Sequence, residues 1–505
     1  MKKLLFLLLP FMSVMAFAQK AEDLKKFGTV ITQQGLKEKL SIIASAEMEG
    51  RETASPGQKR AAAYIESQFK KMGLLPGNGN SYQQLYPVYQ DELTERKLAV
   101  NGQSFEWDKD FSFALATISS GNFNFTNVVF AGYGIVDSTK GINDYAGIDV
   151  QGKLVIVLEG SENGIPTMGP GGSRAFNANP ASPMSKMNNA IAKGATGLFI
   201  ISANFPLKNA STVKSGLYIK PNNNKGFVMV TISKEVATAI MGAYTIKGSY
   251  TSAVNLVATK LVNKLESSNV VGIIPGTDKK DEYVVLSAHY DHLGKKGDVI
   301  WYGADDDGSG TVSVMQMAEA FATAAKKGKA PRRTLVFITV SGEEKGLLGS
   351  EYYSEHPLFP LDKTTVDLNT DMVGRVDTER QTADSLNYIY VIGHDKLSTD
   401  LPIINEAANK QSSNIVLDYK FDDPNDKNRI YYRSDHYNFA KKGVPVLFFY
   451  DGMLLSDYHK PTDTIEKINF DLMQRRVLMI YYTAAEMANR DEMLKRDLKL
   501  NMPAR

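Results

Sequence analysis

The sequence predicts an α/β protein: a mixed, mainly parallel sheet flanked by helices and interrupted by a β-rich insertion. Three observations carry this. From about residue 265 to 490, short apolar runs alternate with helical patterns, with strands expected at 283–289, 334–341, 365–371, 387–393 and 444–450 and helices at 310–327 and 471–489. Such alternation implies crossover connections and a parallel or mixed sheet. Between about 125 and 258 the chain is β-rich, contains no histidine and carries a Gly/Pro/Asn-rich loop from Ser161 to Pro183. At 505 residues, finally, one core is too few, and two or three domains are expected.

In chain order, MKKLLFLLLPFMSVMAFAQ has a basic start at Lys2 and Lys3, an apolar stretch from Leu4 to Phe17 and an A-x-A site at Ala16-Phe17-Ala18. The apolar stretch is short for a bilayer span and is broken by Pro10. A cleaved export signal over 1–18 is therefore expected, placing the mature protein in the periplasm or outside the cell. Removing Lys2 and Lys3 takes the formal charge from +2 to 0, which argues against nucleic acid as a partner. No later stretch reads as a membrane span. There is no cysteine, so disulfides, thiolate metal sites, cysteine nucleophiles and a lipid-anchoring thiol are all excluded. Any metal must be held by His, Asp and Glu.

Ser55-Pro56-Gly57 reads as a turn before a helix from Gln58 to Met72, with Ala62, Ile65 and Phe69 on one face and Gly73 as its stop. In the insertion, 128–134 and Lys153–Leu158 read as strands. A helix at 186–193 leads through Gly194-Ala195-Thr196-Gly197 into the strand 198–201.

The chemistry sits just beyond apolar strands. Val284-Val285-Leu286 runs into His289-Tyr290-Asp291-His292, and Asp305-Asp306-Asp307 precedes the helix that follows. The strand Thr334–Val340 delivers Ser341-Gly342-Glu343-Glu344, and Thr365–Thr370 ends in Asp371. Asp457-Tyr458-His459 follows the strand that ends near Tyr450. Carboxyl ends of parallel strands surround one crevice. Adjacent carboxylates repel unless a cation or a proton separates their roles. Histidines with Asp and Glu form a zinc set without thiolates, and five groups exceed one tetrahedral ion, so two ions sharing a carboxylate is the economical reading.

With these motifs the chain resembles the M28 family of di-zinc aminopeptidases, carrying a protease-associated (PA) domain ahead of the catalytic motifs. Met48-Glu49-Gly50-Arg51, Ser55-Pro56-Gly57 and Gly73-Leu74-Leu75-Pro76 are similar to the family's N-terminal segment. The Gly-Lys-Leu-Val-Ile-Val strand and Lys-Gly-Ala-Thr-Gly turn are similar to its PA domain. The resemblance implies a zinc exopeptidase fold, with residues 19–124 the N-terminal part of the peptidase domain, 125–258 the PA domain and 259–505 the catalytic domain. It implies two Zn2+ ions, one on His289 and Asp371, the other on Glu344 and His459, bridged by Asp306. Asp306 is chosen among its neighbours because it stands three residues before Ser309, and a cis peptide is expected at Asp306-Asp307. Asp291 resembles the partner of the first histidine, Glu343 the general base and Tyr458 an oxyanion donor. Arg433-Ser434-Asp435-His436 is expected to line the pocket; His292, His356 and His394 are read as structural.

The implied activity is a secreted zinc exopeptidase that removes N-terminal residues from peptides. Asp305, Asp307 and Asp435 are left unassigned as partners for a substrate ammonium. A glutaminyl cyclase or glutamate-carboxypeptidase-like enzyme of the same fold is the alternative. A non-catalytic binding protein, as among transferrin-receptor relatives, is disfavoured because the five ligand positions and Glu343 are all present.

Overall fold

The computed structural model describes residues 23–162, 179–220 and 226–502. The signal expected at 1–18 lies outside the described residues. Among them, no helix is long and apolar enough to cross a membrane. The chain divides into two compact units, one formed by 1–88 with 265–505 and the other by Tyr89–Lys264.

The first unit opens with helices α1 (Gln33–Ile43) and α2 (Pro56–Met72). α2 has a full set of end signals: Ser55 caps it by accepting from the Gln58 N–H, Pro56 fits the first turn, and Gly73 closes it at φ 86°. The end of the long strand β1 (Gly248–Ile274) leads to β2 (Lys279–His289), helix α3 (Gly310–Lys326), β3 (Arg333–Val340) and helix α4 (Leu348–Glu355). β4 (Thr364–Thr370), β5 (Tyr388–Ile392), α5 (Asp400–Gln411) and β6 (Val416–Asp418) follow, then α6 (His436–Ala440), β7 (Val446–Tyr450) and α7 (Phe470–Asn489).

The strands of this unit lie in the order β6-β5-β7-β4-β2-β3-β1. β7, β4, β2 and β3 are mutually parallel, while β5 runs against β7 and β1 against β3. The sheet is therefore mixed with a parallel centre. From β2 the chain goes first to β3 on one side and then to β4 on the other, so a crevice opens beyond β2 and β4.

Helices cover both faces. Val284, Leu286 and Ala288 of β2 and Val366 and Leu368 of β4 pack with α1, α2, α3 and α7. Val285 of β2 and Val336 and Ile338 of β3 pack on the other side with Tyr353 of α4 and Phe439 of α6. On β4 that second face is polar, carrying Asp367 and Asn369, both fully buried.

In the second unit, strands Gly121–Phe130, Leu154–Leu158, Gly197–Ile201 and Val228–Ile232 run parallel, with Phe111–Ser112 antiparallel at one edge. Helices Pro183–Ala192 and Lys234–Met241 accompany them. Two apolar clusters form its core, one around Val128, Ile156 and Phe199 and one around Val129, Val155 and Leu198. The unit takes in residues 89–124 as well as the 125–258 stretch.

Candidate metal centre

Six side chains meet beyond the carboxyl ends of β2, β3 and β4. His289 is the last residue of β2, Glu343 and Glu344 follow β3, and Asp371 follows β4. Asp306 comes from the loop before α3, and His459 from the loop after β7 at φ 57°.

The carboxylate of Asp306 lies between the two histidines. Its Oδ1 is 3.3 Å from His289 Nε2, and its Oδ2 is 3.2 Å from His459 Nε2. His289 Nε2 also faces Asp371 Oδ1 at 3.6 Å, and His459 Nε2 faces Glu344 Oε2 at 3.1 Å. Charge-assisted hydrogen bonds run to about 2.7–2.9 Å, shorter than any of these. Donors placed around one zinc at about 2.0–2.1 Å sit roughly 3.3 Å apart, so the spacing suits an ion on each side of Asp306. Asp306 Oδ2, Glu344 Oε1 and both ring nitrogens of His292 are buried with no hydrogen-bond partner. Buried polar atoms are seldom left so, and a cation held between Asp306 and Glu344 would satisfy the two carboxylate oxygens. The residues present fit zinc.

The three adjacent aspartates have separate tasks. Asp305 accepts the N–H of Gly374 at 2.8 Å. Asp307 accepts those of His289, Gly310 and Met372 at 3.2, 2.8 and 3.0 Å. Only Asp306 turns its carboxylate to the histidines. The Asp306-Asp307 peptide is cis. Gly303, before this loop, has φ 55°, and a Cβ there would lie 2.3 Å from the carbonyl oxygen of Asp306 and 2.5 Å from the His292 ring. Asp305, Asp307 and Asp435 are fully buried, which removes all three as partners for a substrate ammonium. Glu343, Asp306 and Asp371 line the pocket instead.

Charge accounts for the electrostatics. Burial opposes protonation of His289, yet Asp371, Asp291 and Asp306 together hold its pKa well above the ordinary value. Burial pushes Glu343 up strongly, aided by the like charges of Glu344, Asp435 and Asp371. In Glu344 burial and the Asp306 charge are outweighed by His292 and His459, and its pKa falls to about 2. Two adjacent carboxyls are thus pushed in opposite directions.

His289 Nδ1 makes its 3.1 Å contact with the main-chain carbonyl of Asp291, while the Asp291 carboxylate lies at 3.6 Å. That carboxylate accepts the Glu343 N–H at 3.2 Å and the Thr53 hydroxyl at 2.5 Å. Asp291 therefore links the first histidine to the residue beside it at the end of β3. Tyr458 stacks on the His459 ring at 3.8 Å, and its hydroxyl accepts from Arg433 Nη2 at 3.0 Å. Arg433 lines the pocket with Met372, Ile430, Phe448 and Leu454. Ser434 lies beneath, its hydroxyl donating to Asp371 Oδ2 at 2.6 Å, and His436 is stacked on Phe448 in the core.

Several site residues escaped the sequence reading. His292 belongs to the cluster, its Nδ1 2.7 Å from Glu344 Oε1 without the angle of a hydrogen bond. A second histidine three residues after the first was the available signal. Asp463 accepts the N–H groups of Asp305 and Asp306. Arg51, fully buried at φ 52°, donates to the carbonyls of Ile43, Tyr290, Tyr302 and Gly303. His394 instead pairs with Asp422 and stacks on Tyr419, and His356 packs on Tyr352.

Residues 269–484 match the family model for Peptidase family M28. A probable leucine aminopeptidase of Arthroderma otae is 28% identical over 237 residues, 46% of this chain and 60% of that protein. A probable zinc metalloprotease of Pyricularia oryzae is 34% identical over 133 residues, 25% of each chain. The chain thus spans about 60% of the length of the first of these relatives and a quarter of the second. Among solved structures, the aminopeptidase from Aneurinibacillus sp. strain AM-1 has a TM-score of 0.53 at 20% identity, covering 96% of this chain and 100% of its own. A zinc aminopeptidase from Bacillus subtilis has a TM-score of 0.50 at 21% identity, covering 93% and 99%. At these identities the likeness is one of fold.

Proposed function

With residues 269–484 belonging to Peptidase family M28, we propose that this protein is a zinc-dependent aminopeptidase hydrolysing N-terminal residues from peptides. One observation carries the reading: the Asp306 carboxylate stands between two His-plus-carboxylate sets, with Glu343 unassigned beside them. His289 and Asp371 would hold one zinc, Glu344 and His459 the other, and Asp306 would touch both. Bound there, zinc supplies Lewis acidity toward the scissile carbonyl and a water acidified for attack.

The chain's own groups supply the rest. Glu343, pushed up by burial, is suited to take the proton of the attacking water and return it to the leaving amine. Arg433 donates to the Tyr458 oxygen, which frees the phenolic hydrogen for a developing oxyanion. The carboxylates lining the pocket offset the desolvation of a substrate ammonium. Met372, Ile430, Phe448 and Leu454 form an apolar wall for the side chain of the N-terminal residue. The opening sequence supports export through a signal over 1–18, to the periplasm or the outside, and the β-rich Tyr89–Lys264 unit supports a PA domain.

The test is one apolar peptide offered free, N-acetylated and C-amidated, before and after chelation and zinc return. Cleavage blocked by acetylation and chelation but not by amidation is expected. Cleavage blocked by amidation instead would replace this reading with the carboxypeptidase. Ammonia released from an N-terminal glutamine without peptide cleavage would replace it with the cyclase.

A further inference from the structure

Behind Asp371, on the polar face of β4, a line of buried side chains runs away from the pocket. Asp367 and Asn369 alternate along one face of β4, with Asp371 just beyond its end, and Ser287 of β2 pairs in register with Asn369. Ser287 Oγ lies 2.7 Å from Asp367 Oδ1 and 3.0 Å from Asn369 Oδ1. The Asn369 amide lies 2.7 Å from Ser434 Oγ, which lies 2.6 Å from Asp371 Oδ2. Asp367, Ser287 and Asn369 have no exposure and Ser434 has 1%.

Each of these four contacts needs a hydrogen. The Ser287 hydroxyl, the Asn369 amide and the Ser434 hydroxyl can each place one in the line. Turning the amide over moves the deficit without filling it, so the count is independent of how Asn369 is oriented. The fourth hydrogen must come from a carboxyl at one end. Asp371 Oδ1 faces His289 Nε2 at 3.6 Å, and in the zinc-ligand role proposed above it would offer a carboxylate. Asp367 has no cation within 4 Å among the described residues, and its Oδ2 has no hydrogen-bond partner. As an anion it would be a buried, unpaired charge; as an acid it leaves only a carbonyl oxygen unpartnered.

We infer that Asp367 is a neutral carboxylic acid whose proton sets the direction of a relay, Asp367 to Ser287 to Asn369 to Ser434 to Asp371. Asp367 is a positioning residue in this scheme. Its O–H donates to Ser287, so Ser287 donates to Asn369, Asn369 to Ser434, and Ser434 keeps its hydrogen on Asp371 Oδ2. Asp371 Oδ1 is thereby left turned to the cluster. An ionised Asp367 would draw the Ser287 hydrogen to itself, and Ser434 would be claimed by two acceptors. Burial, with the like charge of Asp435, pushes the Asp367 carboxyl up to about 8, which agrees with the count. The inference rests on the proposed role of Asp371 as a zinc ligand.

The experiment is infrared spectroscopy of the full chain at neutral pH, comparing the native protein with Asp367→Asn, together with zinc affinity measured by chelator competition. The expected difference spectrum loses a carboxylic-acid carbonyl band. Asn at 367 still donates to Ser287, so folding and zinc affinity should stay at the native level. Asn369→Asp, which removes the donor in the middle, should weaken zinc binding by about 10- to 100-fold, the usual size for a residue supporting a ligand. Loss of carboxylate bands in the difference spectrum would overturn the inference. So would an Asp367→Asn protein that fails to fold, or zinc affinity unmoved by Asn369→Asp. Neither readout involves peptide cleavage. A protein that cleaved nothing would leave the protonated Asp367 standing, and an ionised Asp367 would leave the aminopeptidase reading untouched.

Discussion

Asp463 holds the main-chain N–H of Asp306 on its carboxylate at 3.1 Å, and the N–H of Asp305 at 3.0 and 3.1 Å. The loop that carries His459 is thereby tied to the loop that carries Asp306. Neither side chain contributes to this link; it is backbone positioning by a buried acid. Replacing Asp463 with Ala should lower zinc affinity by about 10- to 100-fold, as for other residues that orient a ligand. Metal analysis after dialysis against a weak chelator checks this, and native zinc content in the variant would remove the tie from the account.

Glu343 and Glu344 should separate cleanly. Glu343→Gln should keep its zinc while kcat falls on the order of 10²–10⁴, the contribution of a general acid–base group. Glu344→Gln should lose zinc first and activity in consequence. Paired metal analysis and turnover on both variants decides it, and near-native turnover in Glu343→Gln would strip that residue of its role.

Arg51 is an anchor of a different kind. Its guanidinium donates to the carbonyls of Ile43, Tyr290, Tyr302 and Gly303 at 2.7–2.9 Å, with no exposure. Arg51→Met strands those carbonyls at about 1–3 kcal/mol each, partly recovered by entering water, so a loss of at least ~3 kcal/mol is expected. Urea unfolding of the metal-free protein measures it without interference from zinc.

Acid stability should depend on His436. Burial pushes its imidazole down to about 3. Between that value and about 6.5 the unfolded chain takes up a proton that the folded protein refuses, so stability is lost as pH falls through this window. The slope from this group is up to ~1.4 kcal/mol per pH unit. His436→Phe keeps the stack on Phe448 and should flatten that part of the profile. Unfolding midpoints of both proteins at pH 4 and pH 6 test it; equal slopes would show that His436 does not titrate in this way.

Much of this architecture is written locally. β2 and β3 carry apolar runs that stop at polar residues, and β4 runs up to Asp371, so these strands and the groups at their ends can be read directly. α5 cannot, because its buried face is Leu401, Asn405, Ala408 and Asn409, and the two asparagines blur the helical period. Their burial is explained only by partners elsewhere, Thr483 for Asn405 and the carbonyl of Ile415 for Asn409. α4 is hidden for a related reason, since Gly349, Ser350 and Ser354 make up most of its buried side. At the cluster, the residues at strand ends were legible, whereas Arg51, Thr53 and Asp463 act through main-chain groups or neighbours far away in sequence. Asp367 and Asn369 did leave a trace: alternating polar residues in a strand buried on both faces mark a built network.

The anchors of the cluster have a consequence for how the protein is made. Arg51 emerges from the ribosome early and Asp463 late, so the bonds of Arg51 to Gly303 and of Asp463 to Asp306 each close a long loop. Such contacts form late, and parallel pairing of this kind is slow to nucleate. A nascent chain can hold α1, α2 and the Tyr89–Lys264 unit well before it holds any competent centre. The cluster of His289, Asp306, Glu344, Asp371 and His459 is then complete only once the loop after β7 has been made and docked.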